Sequence, residues 1–132
     1  MSEETLDRAE KAVEYKHAQV HNNCAQSVLL AFQDKLGKST EELRVLGDSF
    51  GLGMGGMEAT CGALTGAAMV VGLLNHSDKP SKQIMNTILH EFRDQAGATL
   101  CKDLKGRDTG KMLCPCDDCI RIAVRELEKH LA

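Results

Sequence analysis

The stretch Gly51–Leu74, GLGMGGMEATCGALTGAAMVVGLL, predicts the centre of the fold. Its first six residues include four glycines, which supply backbone conformations with positive φ and let other groups approach closely. From Cys61 to about Asn75 the chain then carries no charged side chain. A helix that is apolar all round belongs in a core. We therefore expect a glycine-rich loop before a central apolar helix.

Small residues line one side of this predicted helix. Gly62 and Gly66 lie four residues apart, as do Ala63 and Ala67, and this spacing lets neighbouring helices come close. The apolar run is shorter than the ~20 residues that a membrane-spanning helix needs, so we expect no membrane insertion. The small-residue faces also suggest a homodimer, since two-fold oligomers are common. The alternative is that this segment is only a tightly packed core helix.

The junction between the loop and the helix carries the first candidate site. Thr60 is a predicted N-cap, which puts Cys61 in the first turn, facing free amides and the positive end of the helix dipole. We therefore expect Cys61 to be the most acidic thiol of the metal-free, reduced protein. The predicted cofactor contacts around it are Gly55, Gly56, Thr60 and Gly62.

The rest of the chain predicts further helices and no strands. Apolar residues recur at helical spacing, and capping residues such as Asn23 and Ser39 precede several of these runs. The expected fold is one all-α domain over residues 1–132, an irregular bundle of five or six helices. Besides the central helix, the predicted helices run over Glu3–Val20, Asn23–Lys35, Ser39–Gly47, Ile84–Ala96 and Cys116–Leu131.

Composition narrows the classes of function. A net charge of −3 and an aromatic content of 3% argue against nucleic-acid binding. The first sixteen residues contain no apolar segment typical of a signal peptide, so we expect a cytoplasmic protein. Permanent disulfides are uncommon in the cytosol, and six cysteines in such a protein therefore indicate metal binding or thiol chemistry.

Four of the cysteines lie at or near predicted helix starts: Cys24, Cys61, Cys101 and Cys116. Helix N-termini favour anionic groups, so four thiolates placed there could hold a soft metal or an iron–sulfur cluster or form a redox disulfide. The only C-x-x-C pair is Cys116 with Cys119, whereas a zinc ribbon needs two such pairs. A thioredoxin mechanism is also disfavoured, because the βαβ setting is missing.

Four segments together resemble the family of redox-active proteins named for the pattern C_GCAxxG_C_C. They are NCAQSVLLAF (23–32), CGALTGAAMVVGL (61–73), GATLCKDLKG (97–106) and the terminal cysteine helix. The resemblance covers most of the chain from residue 22 onward. It implies a small helical protein whose four family cysteines fall on Cys24, Cys61, Cys101 and Cys116. The last assignment depends on Ile120 and Ala123, which match the family's ending.

The chain departs from the family pattern in two places. His21 stands where a glycine is frequent, and Cys114 and Cys119 are additional, so the terminal site residue is open among Cys114, Cys116 and Cys119. We expect Cys116 to matter most, with Cys119 as a further candidate metal ligand and Cys114 exposed in a loop.

Three hypotheses follow for the function. In the first, the four cysteines form the site of an oxidoreductase or electron-transfer protein with an unknown redox partner. The preferred occupant is an iron–sulfur cluster, and a reversible dithiol is the variant of the empty site. The second is a non-enzymatic module that binds zinc. The third is a helical interaction protein with buried free cysteines.

Overall fold

The computed structural model describes residues 7–131, and the regular elements in this range are helices, which confirms the all-α prediction. Six of the eight α-helices here have seven or more residues, in line with the five or six expected. The other two are short, because the helix predicted over Asn23–Lys35 breaks at Phe32 and a single turn forms at Cys101. The helices are α1 Arg8–Lys16, α2 Cys24–Ala31, α3 Gln33–Leu36, α4 Thr40–Gly47, α5 Gly62–Leu74, α6 Ser81–Ala96, α7 Cys101–Lys105 and α8 Cys116–Leu131.

The apolar helix α5 lies at the centre of the bundle and packs against α2, α6 and α8. Its glycines set the distance to α2. A Cβ added at Gly66 would lie 2.8 Å from the carbonyl oxygen of Ala25, and one added at Gly62 would lie 3.3 Å from the Cβ of Cys24. Both are closer than ordinary side-chain contacts, so the predicted close approach of helices at these glycines is confirmed.

The segment predicted as a glycine-rich loop makes one wide turn over Gly53–Met57, whose dihedral angles at Met54 and Gly55 are not helical. Leu52, just before this turn, and Met54 and Met57 within it adopt positive φ. One glycine here is required by close approach, because a Cβ at Gly53 would lie only 2.7 Å from the Cβ of Cys101. The segment therefore brings its backbone against a predicted site cysteine.

Helix starts and ends follow the predicted capping residues in most cases. The side chains of Asn23 and Ser39 each accept a hydrogen bond from the third residue of the following helix, in complete capping boxes. Gly37 and Gly97 end their helices with positive φ. Helix α1 is shorter than predicted, because Asp7 caps it and it ends at Lys16. The first residues of that prediction, 3–6, lie outside the described range.

Helices α6 and α8 complete the bundle and pack against each other. The predicted stripe of α6 is buried at every position: Ile84, Ile88, Phe92 and Ala96. His90 beside it is exposed. Within the described residues, no helix has the length and apolar character needed to cross a membrane.

Candidate functional site

The four cysteines assigned to the site each mark a helix start. Cys24, Cys101 and Cys116 are the first residues of α2, α7 and α8, and Cys61 is the N-cap residue of α5. Unpaired amides and the positive ends of helix dipoles therefore point toward the region where the thiols lie. This placement makes the site suited to thiolates.

All four thiols line one cavity of about 220 Å³. Since a water molecule occupies about 30 Å³ in the liquid, the space is large enough for a group of several atoms. The other lining residues are Lys16, His21, Asn22, Asn23, Leu52, Gly62 and Lys105. The structure thus brings together cysteines that are up to 92 residues apart (from 24 to 116) in the sequence.

A short antiparallel bridge fixes Cys61 beside Cys101. Thr60 pairs with Leu100, while the amide of Cys61 donates to the carbonyl of Thr99 at 2.8 Å and the amide of Cys101 donates to that of Ala59 at 3.0 Å. Thr60 was predicted as the N-cap of the central helix, and this is wrong: Cys61 is the N-cap, and no side chain caps the helix. Pairing with a distant segment takes Thr60 out of the capping position.

Cys24 and Cys116 form one hydrogen-bonded thiol pair. The bond from Cys24 lowers the pKa of Cys116 to about 5, with the ammonium group of Lys105 contributing against the cost of burial. The same bond, together with burial, raises the pKa of Cys24. The pair therefore holds one proton on Cys24 at neutral pH, and Cys116 is the thiolate.

Cys61 and Cys119 form a second pair. The hydrogen bond from Cys119 lowers the pKa of Cys61, and the amides of Ala63 and Leu64 in the first turn of α5 also favour the thiolate against burial. The expectation that backbone amides stabilise this thiolate is correct. The prediction that Cys61 is the most acidic thiol is wrong, because the larger shift belongs to Cys116, which has a lysine against it.

The remaining cysteines have different surroundings. Cys101 lines the cavity, and burial raises its pKa. Cys119 is 2% exposed and lies outside the cavity lining, behind Cys61, where its Sγ also approaches the carbonyl of Cys114 at 3.6 Å. Cys114 was expected to be exposed, but only 5% of it is accessible. Its amide donates to the carbonyl of Leu104, which folds the loop over the thiol.

The glycine contacts predicted for the site are present in part. Gly62 lines the cavity. Gly55 and Gly56 are exposed on the far side of the wide turn, and the carbonyl of Gly56 accepts a bond from Arg107 at 3.1 Å. Glu58 pairs with the same guanidinium at 2.9 Å, so its carboxylate is engaged away from the sulfurs.

Two lysines and a histidine of the cavity were missed by the sequence interpretation. Lys105 donates a hydrogen bond to the sulfur of Cys116. This bond raises the pKa of Lys105 in spite of burial, so the side chain stays protonated. Lys16 and His21 lie at the cavity as well. The sequence signal for Lys105 was its spacing from Cys101, because residues i and i+4 share one face of a helix.

The spread of the thiols bears on which metal group fits. In the described part of the chain, no three cysteine sulfurs all lie within 4.8 Å of one another. Four thiolates around one zinc ion would be about 3.8 Å apart, from a Zn–S bond of about 2.3 Å and tetrahedral geometry. The cysteine sulfurs are therefore spread more widely than the ligands of a single zinc ion.

Comparisons with known proteins find one family. The model of the family described as "Putative redox-active protein (C_GCAxxG_C_C)" matches residues 22–130. The match spans α2 to α8 and includes all six cysteines. Neither the curated proteins nor the solved structures that were compared contain a match.

Proposed function

We propose that this chain, which belongs to the C_GCAxxG_C_C family of redox-active proteins, transfers electrons through an iron–sulfur cluster held by Cys24, Cys61, Cys101 and Cys116. The observation that carries the proposal is the single cavity lined by these four thiols at four helix starts. When bound, the cluster would supply a one-electron redox couple whose potential depends on hydrogen bonding and solvent access.

The chain's own residues suit thiolate ligation in three ways. The amides of Ala63 and Leu64 favour ionised Cys61, and Lys105 favours ionised Cys116. Lys16 and Lys105 add positive charge at a site where four thiolates would bring four negative charges. Three of the four thiols, those of Cys24, Cys61 and Cys101, are buried, which limits their contact with water.

A dithiol couple is the second candidate, and the hydrogen-bonded pair of Cys24 and Cys116 supports it. The Cys116 thiolate would attack a disulfide of an oxidised partner and release one partner thiolate. Cys24 would then lose its proton and attack the Cys116 sulfur, releasing the second partner thiolate. Two electrons pass to the partner, and a Cys24–Cys116 disulfide remains.

Metal and sulfide analysis of anaerobically purified protein, with its absorption spectrum, tests the proposal. We expect iron and acid-labile sulfide. Stoichiometric zinc without colour would support the zinc-binding alternative instead. Neither metal, together with a mass loss of two hydrogens on oxidation, would support the dithiol couple. No metal and no redox-dependent mass change would indicate an interaction protein with buried free cysteines.

Replacing single cysteines tests which terminal thiol belongs to the site. We expect Cys116→Ser to lose most of the bound iron, and Cys114→Ser to retain it, since Cys114 lies outside the cavity lining. Cys119→Ser should have the smaller effect of removing the bond to Cys61. If Cys119→Ser abolishes iron binding while Cys116→Ser does not, Cys119 is the ligand.

A further inference from the structure

A second cluster of metal-ligating groups lies at the opposite end of α8. Glu126 and His130 are four residues apart on this helix, so they share one face, and Glu91 reaches them from α6. Along the helix, Glu126 and His130 are about 15 and 21 Å from Cys116, at 1.5 Å per residue. This acid cluster, Glu91, Glu126 and His130, is therefore separate from the cysteine cavity.

Glu126 has a buried oxygen without a hydrogen-bond donor. The residue is only 6% exposed. Its Oε2 accepts a bond from Gln95 at 2.9 Å, whereas its Oε1 has no hydrogen-bond partner within the described structure. Leaving a buried carboxylate oxygen unsatisfied is costly. A buried, unsatisfied carboxylate oxygen that faces other possible metal ligands indicates a site for a cation.

The distances within the cluster match those of a metal site. One ligand atom from each of the three residues lies within 4.8 Å of the other two. His130 Nε2 is 2.8 Å from Glu91 Oε1 and 3.4 Å from Glu126 Oε1. Ligands about 2.0–2.1 Å from a tetrahedral ion are about 3.3–3.4 Å apart, so small side-chain movements would suffice to form the site.

We propose that Glu91, Glu126 and His130 bind a divalent transition-metal ion. Two carboxylates and one imidazole would provide two negative charges and a mixed oxygen–nitrogen ligand set, which suits ions such as Zn²⁺, Co²⁺ or Mn²⁺ rather than the soft metals that thiolates select. Three protein ligands would leave coordination positions for water or another small ligand. This proposal is independent of the one for the cysteine cavity.

Protons and one lysine compete with the ion. Hydrogen bonding to Glu126, His130 and Lys129 lowers the pKa of Glu91 to about 2, while burial and the Glu91 carboxylate raise that of Glu126. A bound ion would therefore replace the contacts that these carboxylates now make with each other and with their cationic neighbours. Lys129 lies 3.2 Å from Glu91 and is 60% exposed, so it can turn into solvent when the ion binds. Gln95, the other facing group, is neutral.

Titration of the reduced, metal-free full chain with Co²⁺ tests the proposal. Cobalt bound to thiolates absorbs strongly in the near ultraviolet through ligand-to-metal charge transfer, whereas cobalt bound by oxygen and nitrogen does not. We expect one equivalent to bind without that absorption and to shift the imidazole NMR resonances of His130 through paramagnetism. Calorimetry gives the affinity of the same equivalent.

Variants identify the ligands. Glu126→Gln keeps the shape of the side chain and should weaken this Co²⁺ equivalent by more than the ~10–100-fold that losing an outer-shell partner costs. Glu128→Gln, on the same helix with 46% of its side chain exposed, controls for lost charge and should bind as the unmodified chain does. His130→Gln, at a partly exposed position, should weaken the same Co²⁺ equivalent, and the resonances that disappear from its spectrum assign the shifted imidazole to His130.

Two results would overturn the proposal. One is equal Co²⁺ affinity in Glu126→Gln and the unmodified chain. The other is that all bound Co²⁺ shows thiolate charge transfer, which would assign it to the cysteine cavity. In either case the acid cluster would be only a network of hydrogen bonds and ion pairs, and the iron content of the cysteine site would be unaffected by that result.

Discussion

The two ends of α8 use the same electrostatic arrangement with different atoms. At the cysteine end, Cys24 and Cys116 share one proton, and Lys105 lies against the ionised partner. At the acid end, burial raises the pKa of Glu126, and hydrogen bonding lowers that of Glu91, which lies beside Lys129. In each pair, the pKa of the acid next to the cation is lowered and that of its partner is raised.

The difference between the ends lies in the softness of the atoms and in what surrounds them. The thiols lie at helix starts around a cavity of about 220 Å³, whereas the carboxylates lie within helices, where no free backbone amides reach them. The two proposed sites therefore differ in their donor atoms, sulfur at one end of the helix and oxygen and nitrogen at the other. The following predictions test whether the two ends are independent and whether each depends on its local cation.

The largest expected effect comes from the packing that holds the cysteine end together. Gly66→Ala places a Cβ 2.8 Å from the backbone oxygen of Ala25, and overpacking of this kind costs ~1–3 kcal/mol. Since Ala25 follows Cys24, the variant should also disturb the thiol pair. The free energy of unfolding in urea and the thiol reactivity measure the two effects.

Gly72→Ala is the matched control in the same helix. No atom lies within 4 Å of the added Cβ, and alanine favours the helix by up to ~1 kcal/mol over glycine. We therefore expect opposite signs for the two glycines in α5. Destabilisation by both, or by neither, would contradict the close contact between α2 and α5. Neither variant should change Co²⁺ binding at the acid cluster.

The sequence predicted this packing because it is encoded locally. The spacing of Gly62 and Gly66, the capping boxes at Asn23 and Ser39, and the stripe of α6 depend on residues within a turn or two of each other. The grouping of four cysteines was also predictable, from their positions at helix starts and from the family pattern. The role of these thiols stays a prediction.

What the sequence did not reveal depends on contacts between distant segments. Thr60 pairs with Leu100 rather than capping α5, and Cys114 is buried because its loop folds back onto the carbonyl of Leu104. The partnership of Glu91 with Glu126 exists only once α6 and α8 pack. None of these pairings has a local sequence pattern, so helical periodicity could not predict them.

An intermediate effect is expected from removing the cation at the cysteine end. Lys105→Gln should raise the pKa of Cys116 above about 5, because the thiolate loses a charge-assisted hydrogen bond of ~1.5–3 kcal/mol, equivalent to ~1–2 pKa units. The alkylation rate of Cys116 in the metal-free, reduced protein, measured against pH by mass spectrometry, reports the change.

Lys102→Gln, one turn away in α7, is the control for this substitution, since Lys102 is not part of the cavity lining. It should leave the alkylation profile of Cys116 unchanged. An identical profile for Lys105→Gln would show that the bond from Cys24 alone maintains the thiolate. The two ends of α8 would then differ in their dependence on a nearby cation.

The smallest expected effect concerns the raised pKa of Glu126 at the acid end. This pKa is raised in the folded chain mainly by burial and also by Glu91. The stability that neutral Glu126 contributes is therefore fully present below its unfolded pKa and is lost as the pH rises through the folded pKa. Glutamine cannot ionise, so Glu126→Gln should change stability little at pH 4, below the ordinary pKa of 4.5, and increase it at pH 8. An increase of about 1 kcal/mol corresponds to relieving one buried, unsatisfied group.

Urea unfolding with a chelator at both pH values measures this increase, with Glu128→Gln as the control for charge. A stabilising effect that grows as the pH falls would contradict the raised pKa of Glu126. Because a bound ion would stabilise the ionised carboxylate, adding Co²⁺ at pH 8 should reverse the order and make the unmodified chain the more stable one.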